Sequence, residues 1–361
     1  MPLPPCRRFL PPEWAPQSGV QLTWPHADSD WAPILDAVEP VFVAITAAIA
    51  RFERVVIACH DAALRTHVAG LLHDARIPET RVRLYLAPAN DTWARDHGPI
   101  TVLCRDEATL LDFGFNGWGE KYQYNLDNLI THSLHAQGAF GDTSIERVNL
   151  ILEGGSIEVD GQGTLLTTER CLLSATRNPQ HTRARIEKEL GELLGVTRFL
   201  WLKNGYLAGD DTDSHIDTLA RLCDPDTIAH VACDDPADEH YTELKTMEAE
   251  LAAFRTLRGT PYRLVPLPWP QPKLDADGAR LPATYANFLI LNDAVLVPTY
   301  RDPADTVALE RLRGCFSNRE VIGIDCLPLI QQHGSLHCVT MQIPAGVLPG
   351  QERIYKKRRN K

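Results

Sequence analysis

An α/β fold is what this sequence predicts, and three observations carry the prediction. Apolar runs of strand length alternate with stretches of helical periodicity along the chain. Short β-like segments recur, several of them followed by a polar turn and a second apolar run. Hydrophobic residues make up 44% of the chain and charged ones 23%, which is ample material for a folded core.

The elements follow in order. The segment through Trp31 is rich in Pro and Trp and is not expected to form a long helix. Pro40 to Arg54 has helical spacing with an apolar stripe, Arg54 to Cys59 reads as a buried strand, and a helix is expected from Asp61 to Leu72. Val82 to Leu86 is the next strand. Helices are then expected at Thr182–Leu194 and Tyr241–Arg258, and strands at Thr197–Leu202, Thr227–Cys233 and Tyr262–Leu267. Gly114–Tyr124 and Pro266–Pro282 read as loops. A boundary at either loop would separate the chemical groups described below, so one domain over residues 1–361 is expected.

A weaker rhythm says more. First strands are expected at Gly98–Val102, Gly155–Val159, His215–Leu219, Asn287–Leu291 and His337–Met341. Second runs follow four of them, at Thr109–Phe113, Thr164–Thr167, Thr227–Val231 and Ala294–Pro298. Such repeats suggest units stacked around a centre rather than one doubly wound sheet. The polar residues at their entrances would then converge on one pocket.

The formal net charge of −11 argues against a broadly basic nucleic-acid surface and suits a small cationic partner. The basic run Lys356–Arg359 reads as a solvated tail. Neither a signal peptide nor an apolar span long enough for a bilayer is recognised, so a cytoplasmic protein without membrane partners is expected. A homodimer is expected without a residue pattern to carry it. The nine cysteines form no compact framework; Cys59, Cys104, Cys171 and Cys233 lie in or beside apolar runs and read as reduced, buried small hydrophobes. The chain has no phosphate loop or dinucleotide fingerprint, and no organic cofactor is expected. A zinc hydrolase using His215 and Asp217 is conceivable, but no compact Cys/His set recommends it.

Cys338, in Gly334-Ser335-Leu336-His337-Cys338-Val339-Thr340, is the candidate nucleophile. Asp96 and Asp217 are the candidate carboxylates for a guanidinium, whose parallel N–H donors they match. His215, two residues before Asp217, would share its strand face and act as acid and base. His337 would point away from Cys338 and be structural. Glu153 would border the pocket at Glu153-Gly154-Gly155-Ser156, with Trp93, Trp118, Tyr285 and Asp211 as substrate contacts. Each has a bland reading too: Asp96 as a turn cap, His215 and Asp217 as a surface network, Glu153 as loop geometry, and the aromatics as packing.

At these residues the chain resembles the agmatine deiminases of the guanidino-group-modifying superfamily, close to the bacterial-type peptidylarginine deiminases. The resemblance runs through Pro12-Glu13-Trp14, Thr23-Trp24-Pro25, Trp93 to Pro99, Phe115 to Gly119, Leu152 to Ser156, Asp211 to Asp217 and the Cys338 segment. It implies a five-bladed pseudo-symmetric α/β propeller (pentein-like) and hydrolysis of agmatine to N-carbamoylputrescine and ammonia. It also implies Cys338 as nucleophile, His215 as acid–base group, and Asp96 and Asp217 as guanidinium ligands. Two departures bear on the distal pocket: Ser214 stands where the family commonly has Gly, and His333-Gly334-Ser335-Leu336 replaces a glycine-rich entrance. Deimination of peptidylarginine or of free or methylated arginine, thiol-dependent amidino transfer, and a noncatalytic guanidinium-binding module are the alternatives.

Overall fold

A computed structural model describes residues 7–105 and 107–350; the Lys356–Arg359 run and the Met1–Pro5 start lie outside the described residues. The chain opens with β1 (Gln17–Thr23), β2 (Arg54–Cys59) and β3 (Val82–Leu86). A three-stranded pattern then repeats: β4 (Ile100–Cys104), β5 (Glu107–Gly114) and β6 (Ser144–Ile151), followed by β7 (Glu158–Val159), β8 (Thr164–Thr168) and β9 (Arg198–Leu202). It continues with β10 (Ala220–Asp224), β11 (Thr227–Val231) and β12 (Arg263–Leu267), then β13 (Leu289–Ile290), β14 (Ala294–Thr299) and β15 (Glu320–Asp325), and ends at β16 (Thr340–Pro344).

In each of these sheets the first two strands pair antiparallel and the third joins parallel. The remaining sheet, in the order β16-β1-β2-β3, has the same plan with one added strand, and it draws on both ends of the chain. The local chemistry explains the pattern. Tight polar turns close the antiparallel pairs: after β7, Asp160 Oδ1 accepts from the Gln162 and Thr164 amides while Gly161 and Gly163 take positive φ. A parallel return needs a long crossover. Helix Arg183–Leu194 supplies one, capped by the Thr182 hydroxyl and ended by Gly195 at φ 75°. Helices Tyr241–Ala253 and Ala304–Cys315 supply others.

The strands at 54–59 and 82–86 fall where the sequence placed them, and the helix at 62–74 is capped by Asp61. The first helix is shifted, running Leu35–Ala50 with Pro40 inside it, and the helix expected to reach Arg258 stops at Ala253. Contrary to expectation, one helical run, Ala32–Ala50, is long and apolar enough by composition to cross a membrane, with mean hydropathy 1.7. It buries Val38, Val41, Phe42, Ile45 and Ile49 and packs on β2 and β15, as a core helix does. Cys59, Cys171 and Cys233 are free and buried as expected, whereas Cys104 is disulfide-bonded.

The expected first strands begin later than read. Short turns precede four of them, at 94–97, 154–156, 216–218 and 336–339, and these turns carry the chemistry. His215 and Asp217 therefore do not share a strand, and His337 is not on the back of one.

Candidate active site

Cys338 sits in the turn before β16 with 5% of its surface exposed, so only the pocket above reaches it. Asn287 Oδ1 holds this turn: it accepts from the His337 amide at 2.8 Å, the Cys338 amide at 3.3 Å and the Cys338 thiol at 3.4 Å. Asp96, on the turn before β4, accepts from the Gly155 amide at Oδ1 and from Trp118 Nε1 at Oδ2, both at 3.0 Å. Its Oδ1 is 3.6 Å from His215 Nδ1. The opposite ring nitrogen of His215 lies 4.0 Å from Glu153 Oε2, and neither of those atoms has a hydrogen-bond partner. Asp217 Oδ2 accepts from His337 Nδ1 at 2.7 Å, and its Oδ1 is buried and unpartnered.

Gly155 explains how three ionisable groups come so close. A β-carbon there would stand 2.5 Å from His215 Nδ1, 3.0 Å from Asp96 Oδ1 and 3.1 Å from Asp217 Oδ2. Glu153 is fully buried behind His215 and is fixed by Arg177, whose Nε donates to Oε1 at 2.9 Å and whose Nη1 pairs with Asp213.

The electrostatics follow from burial among charges. The Cys338 thiol is pushed well above its ordinary value, first by burial and then by the charges of Asp217 and Asp96. The Asp96 carboxyl is pushed up to about 6: burial raises it, His215 opposes, and Asp217 and Glu153 add to the rise. Burial works against a charged His215, but Asp96, Cys171 and Glu153 overcome it and hold the imidazole well above the usual range. Asp217 stays below the ordinary carboxylate value because the hydrogen bond and charge of His337 outweigh burial.

Above Cys338 and Asp96 opens a pocket of about 430 Å³. Trp93 and Trp118 form its walls, and Asp30, Asp91, Asp211 and His333 stand with them in its lining. Asp91 is pushed up to about 6, mainly by burial. Trp93 comes close because Gly334 carries no side chain: a β-carbon there would overlap the indole. At the distal end, Asp211 Oδ2 accepts from the Tyr122 hydroxyl at 2.7 Å.

The structure thus brings Cys338, His215, Asp96, Asp217 and Glu153 together and puts Trp93, Trp118 and Asp211 around the approach. Tyr285 is a correction. It is fully buried in the core, donates to Asp305 Oδ1 at 2.7 Å, and has no part in the pocket lining. Asn287, Arg177 and Cys171 were missed; the place of Asn287 at the entrance of an expected first strand was the one available signal. The donors of Glu153, Cys171 and His215 lie within 4.8 Å of one another, a metal-compatible trio that no sequence spacing reveals. His26, Asp28 and His60 form a second such group.

Fold and site define an α/β protein of small sheets whose short entrance turns converge on one buried thiol. The chain belongs to the Porphyromonas-type peptidyl-arginine deiminase family, whose profile matches residues 9–344. It is 33% identical to the agmatine deiminase of Pseudomonas syringae pv. tomato, over 93% of this chain and 95% of that one. A solved agmatine deiminase of C. jejuni, a cysteine-to-serine variant with substrate bound, superposes with a TM-score of 0.86 at 35% identity, covering 95% and 98% of the two chains. A Porphyromonas gingivalis structure provisionally described as an arginine deiminase superposes with a TM-score of 0.89 at 54% identity, covering 94% and 99%.

Proposed function

We propose that this chain hydrolyses agmatine to N-carbamoylputrescine and ammonia through a covalent adduct on Cys338. The observation that carries the reading is the sign of the pocket: Asp30, Asp91, Asp96 and Asp211 line it, and no Arg or Lys is among the described lining residues. The guanidinium sits between Asp96 and the free Oδ1 of Asp217, through charge-assisted hydrogen bonds. The butyl stem lies between Trp93 and Trp118, and the distal ammonium meets the outer carboxylates.

The resting thiol is protonated; the arriving cation offsets the carboxylates that hold it so, and in the complex the thiol releases its proton to solvent, where the departing ammonia later takes one up. Its sulfur attacks the guanidinium carbon. His215 gives its proton to the departing nitrogen, the C–N bond breaks, and ammonia leaves an S-alkylthiouronium. The neutral imidazole then takes a proton from water. Hydroxide adds to the same carbon, the C–S bond breaks, and the proton of the added hydroxyl passes to the departing sulfur, so the neutral ureido product leaves with the thiol restored.

The scaffold of this reading is one domain whose five sheets form a pseudo-symmetric propeller. Its support is the shared strand plan and the convergence of groups from the first strands: Glu158 of β7, Arg221 of β10 and the Ile290 amide of β13 all bond, directly or in sequence, to Glu13.

Deimination of free or peptide-bound arginine is the second reading, favoured by the 54% identity to the P. gingivalis protein. Against free or C-terminal arginine, an α-carboxylate at the pocket mouth would face Asp30, Asp91 and Asp211 without a lining Arg or Lys to offset them. The test follows ammonia and the organic product from metal-depleted enzyme with agmatine, arginine and an arginine peptide, using Cys338→Ser as control. Conversion of agmatine that the variant loses, with weak turnover of the other two, is expected. No turnover of agmatine would overturn the assignment.

A further inference from the structure

Beneath Asp217 lies a polar network that the chemistry above does not use. His337 joins two carboxylates: Nδ1 is 2.7 Å from Asp217 Oδ2 and Nε2 is 2.7 Å from Glu13 Oε2. All three side chains are buried. Ionised carboxylates only accept, so the bridge is satisfied when both ring nitrogens donate.

Glu13 is itself clamped. Its Oε1 accepts from the Ile290 amide at 2.7 Å, and Oε2 takes Arg221 Nη2 at 2.9 Å as well as His337. Arg221 is anchored in turn, donating to Glu158 at 2.8 Å and to the Phe288 carbonyl at 2.5 Å. Burial works to raise the Glu13 carboxyl, but Arg221, His337 and Arg95 together hold it well below the ordinary range. The chain is continuous from Arg221 through Glu13 and His337 to Asp217, with links of 2.9, 2.7 and 2.7 Å.

Asp217 ends this chain with Oδ2 fixed, in the cluster that Gly155 lets it form with His215 and Asp96, and with its other oxygen, Oδ1, buried without a partner. A buried carboxylate oxygen left free is costly unless a ligand donor meets it. We propose that His337 and Glu13 are positioning residues: the carboxylate–imidazole–carboxylate bridge fixes the rotation of Asp217 so that Oδ1 receives the substrate guanidinium. His337 is thereby tied to both partners of the reaction, to the nucleophile through the next peptide bond and to the guanidinium ligand through its ring. The proposal rests on the reading of Asp217 as the guanidinium-binding carboxylate.

The test measures agmatine binding by calorimetry in the Cys338→Ser background, and kcat and KM in the otherwise native enzyme. Thermal melts and circular dichroism select the folded protein. His337→Leu removes both donors, and His337→Asn returns an amide donor toward Asp217. Glu13→Gln leaves His337 and Arg221 facing an amide that also donates.

The expected result is a rise of tenfold or more in agmatine Kd and KM for His337→Leu, a smaller rise for Glu13→Gln, and recovery of most of the affinity in His337→Asn. A role in packing alone would lower the melting temperature and leave the KM of the folded fraction in place. Should His337→Leu not fold, the comparison of Glu13→Gln with His337→Asn carries the same contrast. Folded variants that bind agmatine within twofold of their parent would overturn the proposal. If the parent binds agmatine but releases no ammonia, the assigned reaction fails while the positioning role is still decided by the binding arm. If the parent binds arginine instead, the same comparison is run with arginine.

Discussion

Replacing Gly155 with Ala tests the site at its tightest point. The new β-carbon would lie 2.5 Å from His215 Nδ1, whereas nonbonded carbon contacts are comfortable at about 3.5 Å, so something must move by about 1 Å. The backbone has no objection, because Gly155 is absent from the positive-φ glycines and its φ suits any residue. Asp96 and Asp217 close the other directions at 3.0 and 3.1 Å, so His215 is the group displaced. A misplacement of about 1 Å at a reacting group costs roughly 100-fold in rate. That corresponds to about 2.7 kcal/mol of transition-state stabilisation. Overpacking adds about 1–3 kcal/mol of lost stability. The assay is steady-state ammonia release, with thermal melts on the same preparations. A folded Gly155→Ala enzyme with kcat/KM within about threefold of the parent would refute the view that this spacing of His215, Asp96 and Asp217 is what the chemistry requires.

Three further outcomes are expected. The kcat/KM for agmatine should fall as pH drops through about 6, because a protonated Asp96 cannot pair with the guanidinium, and Trp118→Phe, which removes a donor to its anion, should move that limb to higher pH. Glu53 is raised to about 7 by burial, so the folded protein holds its proton more tightly than the unfolded chain does. Stability from this group is therefore full below the ordinary value of 4.5 and is lost as pH rises through about 7. Glu53→Gln should remove a penalty of about 3 kcal/mol at pH 8 while changing little at pH 4.5, read from melting temperatures at both. Gly70, inside helix Ala62–Asp74, has no heavy atom within 4 Å of a built β-carbon, so Gly70→Ala should raise stability by about 0.5–1 kcal/mol in denaturant titration and leave kcat unchanged.

What was legible in the sequence was what depends on local pattern. The buried strand at Arg54–Cys59 reads from its apolar run, and helix 183–194 from Thr182 and Gly195 at its ends. The repeats were legible because each unit reuses one strand plan, but their first strands began late. Gly154, Gly155 and Asp217 lie in tight turns at 154–156 and 216–218, where short β-like strings suggested extended chain. The direction of His337 was lost for that reason: period-two alternation applies to strands, and this residue sits in a turn. Tyr285 shows the opposite error, an aromatic near motif residues that belongs wholly to the core. Cys171 beside His215, and Glu13 beneath Asp217, are partners made by tertiary folding, and no spacing along the chain announces them.

The pairing of β16 with β1 joins the first and last strands of the described residues, with Leu22 opposite Thr340, and Cys338 lies two residues before β16. A ribosome adding about 5–20 residues each second delivers this segment after every other sheet has been made. The enzyme is therefore born unarmed. Asp96, Asp217, His215 and Glu13 emerge first, and Cys338 arrives with the strand that pairs back onto β1. A nascent polypeptide still lacking β16 has no seat for the Cys338 thiol, so on the proposed reading reactivity waits for the pairing of β16 with β1.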